Sequence, residues 1–232
     1  MGVSAHHAQD DVPLCKYSPD SYGGPLHIIN VTLNTTFSQN SHLWQPDRSG
    51  ASLAVSRFGY LVHPRAGTSV HQWSETESLS LGQWVAISGA AASTGMGQNT
   101  HWYFSLITGL LNLRLGYWWQ LKPFAMPFFY TQFFRELTSR YADTSSGYCY
   151  LSDGGHFENL AAYEMIARKI PRLVLLDAGK DDEFHYEDLA NLVRLARLDF
   201  QCEIIEASEE QRKARFEYHA LIGTLDEMRS PG

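Results

Sequence analysis

The stretch YCYLSDGGHFENLAAYEMIARKIPRLVLLDAGKDDEFHYEDLANLVRLARLDFQCEII, residues 148–205, decides the fold class. Tyr148 to Leu151 are apolar and β-prone and predict a strand, and Ser152-Asp153-Gly154-Gly155 predicts a tight turn. Over 157–169, Leu160, Tyr163, Ala167 and Ile170 recur at helical spacing, with Glu158, Glu164 and Arg168 off that stripe. Arg172 to Leu176 is a continuous apolar run, the pattern of a buried strand, and it ends at Asp177. Residues 186–199 are amphipathic again, with Leu189, Leu192, Val193 and Ala196 inward and Asp188, Asn191, Arg194 and Arg197 outward. Cys202 to Ile205 closes as a strand, and Ser208 with Gln211 forms a capping box for a final helix. Strand, helix, strand, helix, strand predicts an α/β fold with a parallel sheet covered on both faces.

Upstream the pattern is less regular. Leu26 to Leu33 (LHIINVTL) is β-branched and apolar and predicts a buried strand. Residues 34–80 read as loops with short strands such as ASLAV (51–55) and YLV (60–62). Trp84 to Ser88 (WVAIS) is strand-like, and GAAASTGMG (89–97) after it has the small residues that let backbone approach backbone or ligand. An aromatic helical region runs from His101 to Thr138, divided by Pro123 and Pro127. Residues 1–24 are polar and read as a tail or lead-in loop.

Composition narrows the function. Of 232 residues, 44% are hydrophobic, which is enough for a core and excludes wholesale disorder. Eighteen Lys and Arg against 25 Asp and Glu give a charge of -7 with no basic run, so nucleic acid is not an expected partner. Three cysteines, Cys15, Cys149 and Cys202, lie far apart without a CxxC pair, which argues against a disulfide framework or zinc ribbon and for a reducing compartment. The ten histidines show no HExxH spacing, and no EF-hand loop or nucleotide-binding glycine motif occurs. No metal or cofactor is expected. The N-terminus has neither a basic n-region nor an apolar core, so secretion by its own signal is not expected, leaving the cytoplasm or a peripheral membrane position. Trp102 to Trp119 is the most membrane-like segment, but Asn112 and Arg114 sit near its middle, where a charge costs about 2.5–3.5 kcal/mol on insertion scales. A buried or surface-lying helix fits it better than a span.

Two carboxylates stand at predicted strand ends, where ligands bind in parallel α/β sheets: Asp153 and Asp177. Either could orient or deprotonate a nucleophile. The commoner use of an Asp in a strand-to-helix loop is to cap the helix or make an Asx turn. The words around Asp153 favour chemistry. LSDGGHFENLAAYEMIARK resembles the segment that carries the catalytic aspartate in patatin-like phospholipases, especially the branch like the cytosolic phospholipases. Asp153, Gly154, Gly155, Asn159 and Leu160 match it. Ordered similarity also runs through YGGPLHIINVTLN, WVAISGAAASTGMG, LLNLRLGYWW, LVLLDAGKDD and EDLANLVRLARLDF, covering about Tyr22 to Thr224.

The resemblance implies a parallel-sheet sandwich of the patatin type and an acyl transfer on a phospholipid or other lipid ester. In that chemistry a serine attacks the ester carbonyl, and the aspartate serves as its base directly, without histidine. Asp153 would be that base, and Gly154, Gly155 and Asn159 the turn that supports it. The serine of the family stands in a G-x-S-x-G elbow, which this chain lacks. Gly67-Thr68-Ser69-Val70-His71 is the nearest string and ends in His. Residues 25–232 are therefore expected to be the C-terminal part of such a domain, with the nucleophile on an upstream segment. Ser88 and Ser93 are substitute nucleophiles, although a serine there more commonly bonds its own loop backbone. His156 suggests a triad histidine, but the family needs none, so a turn-stabilising or headgroup-facing role is expected. The aromatics at 102–104 and at Tyr117, Trp118, Trp119, Phe124, Phe128, Phe129, Phe133 and Phe134 belong to the core or form an acyl-chain or interfacial surface. The competing expectation is an inactive, truncated or degenerate module that binds lipid or a partner protein.

Overall fold

Residues 29–34, INVTLN, alternate apolar and polar, which in a strand sends Ile29, Val31 and Leu33 to one face and Asn30, Thr32 and Asn34 to the other. A computed structural model describes residues 11–36, 49–63, 71–73, 79–91, 103, 115–121, 129–142, 147–179, 185–206 and 223–227. In it INVTLN is β1 (Ile29–Asn34), the middle strand of a five-stranded sheet. The others are β2 (Gly50–Ser56), β3 (Gly59–His63), β4 (Tyr117–Gln120) and β5 (Tyr148–Asp153), in the order β3-β2-β1-β5-β4. Two further strands, β6 (Cys202–Glu206) and β7 (Gly223–Glu227), pair with each other. The helices are α1 (Leu81–Ser88), α2 (Phe129–Leu137), α3 (Tyr163–Ala167) and α4 (Glu187–Phe200). The chain divides into two compact units, residues 1–159 and 160–232.

Mixed helix and strand content agrees with the α/β expectation, but the parallel-sheet sandwich does not. Every pairing among the described strands is antiparallel. The physical reason lies at β5. Its two edges are taken by β1 and β4, both antiparallel to it, so no hydrogen-bonding edge remains for a parallel neighbour from the 172–205 region. β6 pairs with β7 instead.

Three local expectations also change. WVAIS is not a strand: it lies in α1, whose start is fixed by a capping box between Ser80 and Gln83. The run 172–176 belongs to no strand, and Val174 and Leu176 are 91% and 86% exposed. The helix expected from residue 157 begins only at Tyr163, after Ala161 takes a left-handed backbone at φ 55°. There Leu160, Tyr163 and Ile166 are buried, whereas Ile170 is exposed and Glu164 is buried beside Arg168 at 3.4 Å. The strands at 51–55, 60–62, 148–151 and 202–205 and the helix over 186–199 appear near their expected places. The Ser208 capping box lies outside the described residues.

The core of the first unit follows from strand alternation. Ile29, Val31, Leu33, Ala51, Leu53, Val55, Val62, Trp119, Cys149 and Leu151 line one sheet face, and Trp84 and Ile87 of α1 close over it. Leu14 joins this cluster, so the N-terminal segment enters the core. Its backbone is tied to residues 79–81 by Leu14 N–H to Leu79 O and Leu81 N–H to Val12 O. In the second unit α3 and β6 both pack on α4 through Leu192, Leu195 and Ala196, and the Tyr163 hydroxyl donates to Asp199 at 2.7 Å. Among the described residues no helix is long and apolar enough to cross a membrane.

Candidate functional site

Asp153 is the last residue of β5 and stands opposite Val31 of β1. Directly opposed residues share a face, so its side chain belongs to the apolar face that α1 covers. In an antiparallel sheet the carboxyl end of β5 lies beside the amino end of β1. The strand-end rule for parallel sheets therefore does not single this position out. What does is the turn that follows, a short 3-10 segment over Gly154–His156.

The two glycines of the turn are needed for different reasons. A Cβ on Gly154 would stand 2.5 Å from the carbonyl oxygen of Asn30, which is backbone of β1 and cannot step aside. A Cβ on Gly155 would stand 2.6 Å from Asn159 Oδ1 and 3.2 Å from Asp153 Oδ1. Gly155 thus keeps space open for the carboxylate, and Asn159 packs against the same space. The Gly154 carbonyl then accepts from Phe157 N–H and Glu158 N–H, each at 3.1 Å, and from the Thr32 hydroxyl at 3.4 Å. The turn is fastened to β1 as well as to its own chain.

Asp153 Oδ1 accepts from Gly155 N–H at 2.7 Å, so the capping role describes this oxygen. Oδ2 accepts no hydrogen bond from the described residues, and the side chain is partly exposed. One carboxylate can do both: Oδ1 fixes its orientation while Oδ2 is left to take a proton.

His156 sits at the far end of the turn with both ring nitrogens engaged. Nδ1 lies 3.0 Å from Ser152 Oγ and Nε2 lies 3.1 Å from the Ala91 carbonyl oxygen. Burial pushes its pKa below the ordinary histidine value, opposed by the Asp153 charge and the bond to Ala91. Its place is that of a turn-stabilising residue. Ser152 is wholly buried and also accepts from Asn34 Nδ2 at 2.9 Å. Sequence reasoning missed Ser152 and Asn34. The signal was the polar residues of β1, Asn30, Thr32 and Asn34, on a strand read only as apolar.

Ser88 ends α1 in the same corner and donates to the Asn30 carbonyl at 2.7 Å. That is the backbone bond expected of an ordinary loop serine, and no hydrogen bond joins it to Asp153 among the described residues. Asp177 lies in the exposed 172–179 segment, its Oδ1 accepting from Gly179 N–H at 2.9 Å, an Asx turn. Ser93 and residues 67–70 of the nearest elbow-like string lie outside the described residues, and His71 stacks on Tyr60 at 4.9 Å.

Of the aromatics, Trp119 is buried in the core, Trp84 meets it edge-on at 5.4 Å, and Trp73 meets both. Tyr130 and Phe134 of α2 are exposed. Among the described residues no cluster of three His, Cys, Asp or Glu side chains is placed to hold a metal ion. Compared with known proteins, the chain matches no family model, no curated protein and no solved structure.

Proposed function

We propose that this chain is the aspartate-bearing part of a serine lipid acyl hydrolase, with Asp153 as the base of a Ser-Asp dyad and the serine supplied by an upstream segment. One observation carries most of this. At Asp153 one carboxylate oxygen is held by the Gly155 amide, and the other is left without a hydrogen bond among the described residues. A serine hydroxyl is a weak nucleophile until a base within hydrogen-bond reach takes its proton, and Oδ2 is oriented to be such a base. The resemblance of DGGHFENL to the patatin-like phospholipases supplies the substrate class, a phospholipid or related ester. The finer architecture of that family is part of this proposal, as is a cytoplasmic or peripheral membrane location.

The test is hydrolysis of nitrophenyl esters and phospholipid vesicles by the chain alone and with an upstream segment bearing a G-x-S-x-G elbow added. Turnover is expected only with the added segment, because Ser88 already gives its proton to a backbone carbonyl. Turnover that fails to appear with any such segment counts against the hydrolase. A second reading, an inactive module that binds lipid or a partner protein, draws on the exposed run at Val174 and Leu176. It gains if vesicles or a partner are bound without hydrolysis.

A further inference from the structure

The two nitrogens of His156 face different demands, and one protonation state meets both. The Ala91 carbonyl oxygen can only accept, so Nε2 carries a proton. Ser152 Oγ already accepts from Asn34 Nδ2 and has one proton to give. With Nδ1 bare, the chain closes: Asn34 donates to Ser152, Ser152 to Nδ1, and Nε2 to Ala91. With Nδ1 protonated, two donors converge on Ser152 Oγ. The serine proton must then find another acceptor inside a residue that is 0% exposed. The chain breaks at Ser152.

We propose that His156 is a positioning residue for Asp153: in its neutral form it straps the Asp153 turn to Ser152 behind it and to Ala91 just beyond α1, and protonation releases that strap together with the Gly155–Asp153 bond. The catalytic meaning of this rests on the hydrolase reading, whereas the strap stands on the bonds themselves. Asp153 and His156 bracket the turn, so a change at one end reaches the other through two glycines. Among the described residues Asp153 is the charged group acting on the imidazole. The groups that β1 and α1 bring around the turn, Asn30, Thr32, Asn34 and Ser88, do not titrate. The downward push of burial on His156 agrees with a site that accepts the neutral ring.

Gly155 N–H is the direct reporter, because it donates to the carboxylate. In the full chain, isotope-labelled, its exchange protection factor and the His156 ring signal are followed together from pH 8 to pH 4.5. The expected result is a protection factor that falls at least tenfold in step with the protonation of His156, at a midpoint below that of an ordinary histidine. In Ser152→Ala the midpoint rises toward the ordinary value, because a bare Nδ1 no longer has a hydroxyl to accept from. In His156→Gln the step disappears. A Gly155 protection factor that stays level through the His156 titration of the unaltered chain overturns the proposal, and that measurement needs no variant to fold. The hydrolase reading is judged by ester turnover, so a clear step without turnover condemns that reading and keeps the strap.

Discussion

At residue 153 a cap and a base occupy the same carboxylate, and substitution can separate them. Asp153→Asn keeps an oxygen for the Gly155 amide but removes the proton acceptor. It is expected to leave the denaturation midpoint nearly unchanged. Asp153→Ala removes both and should cost about 1 kcal/mol, the usual loss for a side-chain cap. Equal stability of the two variants by urea denaturation would show that the cap contributes nothing. Gly154→Ala drives a methyl against the Asn30 carbonyl and should cost about 1–3 kcal/mol by overpacking, read in the same way. The motif itself was legible from sequence, because Asp153, Gly154, Gly155 and Asn159 lie within seven residues and each has a local reason to be there. Ser152 was not. Its partner Asn34 lies 118 positions away, and only the pairing of β1 with β5 brings the two together.

At the scale of elements, α1 shows where local pattern misleads. WVAIS contains enough β-branched and aromatic residues to read as a strand, and the deciding signal lies just upstream in Ser80 and Gln83. Ser80 Oγ accepts from Gln83 N–H at 3.2 Å while Gln83 Oε1 accepts from Ser80 N–H at 3.0 Å. Ser80→Ala should destabilise the fold by about 1 kcal/mol, measurable by chemical denaturation. A change below a few tenths of that would mean that tertiary packing of Trp84 and Ile87 alone holds the helix. The run 172–176 misleads in the opposite sense. Five consecutive apolar or amphipathic residues look like a buried strand, yet pairing is decided by an available sheet edge, which no five-residue window reveals. β1, β2, β3 and β5 were legible because alternation over one face is a local property, and Val31, Leu53 and Leu151 display it.

For the whole molecule, the parallel sheet was inferred from element order, and order alone does not fix strand direction. The 172–176 run was the expected parallel neighbour, and with it unpaired the premise falls. Its exposed Val174 and Leu176 have a consequence for solution behaviour. Replacing both with Lys should lower the binding of a hydrophobic dye severalfold, and unchanged dye binding would show that this run is not the apolar surface presented to solvent. Acidity acts on the molecule through His156, whose pKa in the folded protein is lowered by burial from the ordinary 6.5. The unfolded chain therefore binds this proton more readily than the folded one. The stabilisation tied to the neutral ring is full above about pH 6.5 and drains away as pH falls through and below that value. Urea midpoints at pH 7.5 and pH 5 should differ more for the unaltered chain than for His156→Gln. Identical pH dependence in the two would remove His156 as a source of acid sensitivity.

The most direct measurement is the ester hydrolysis rate of the chain joined to its serine-bearing segment, with Asp153 intact, with Asn and with Ala at that position. A base at 153 predicts that both substitutions lower the rate by about a hundredfold or more while Asp153→Asn remains folded. Turnover that persists in Asp153→Ala would contradict it.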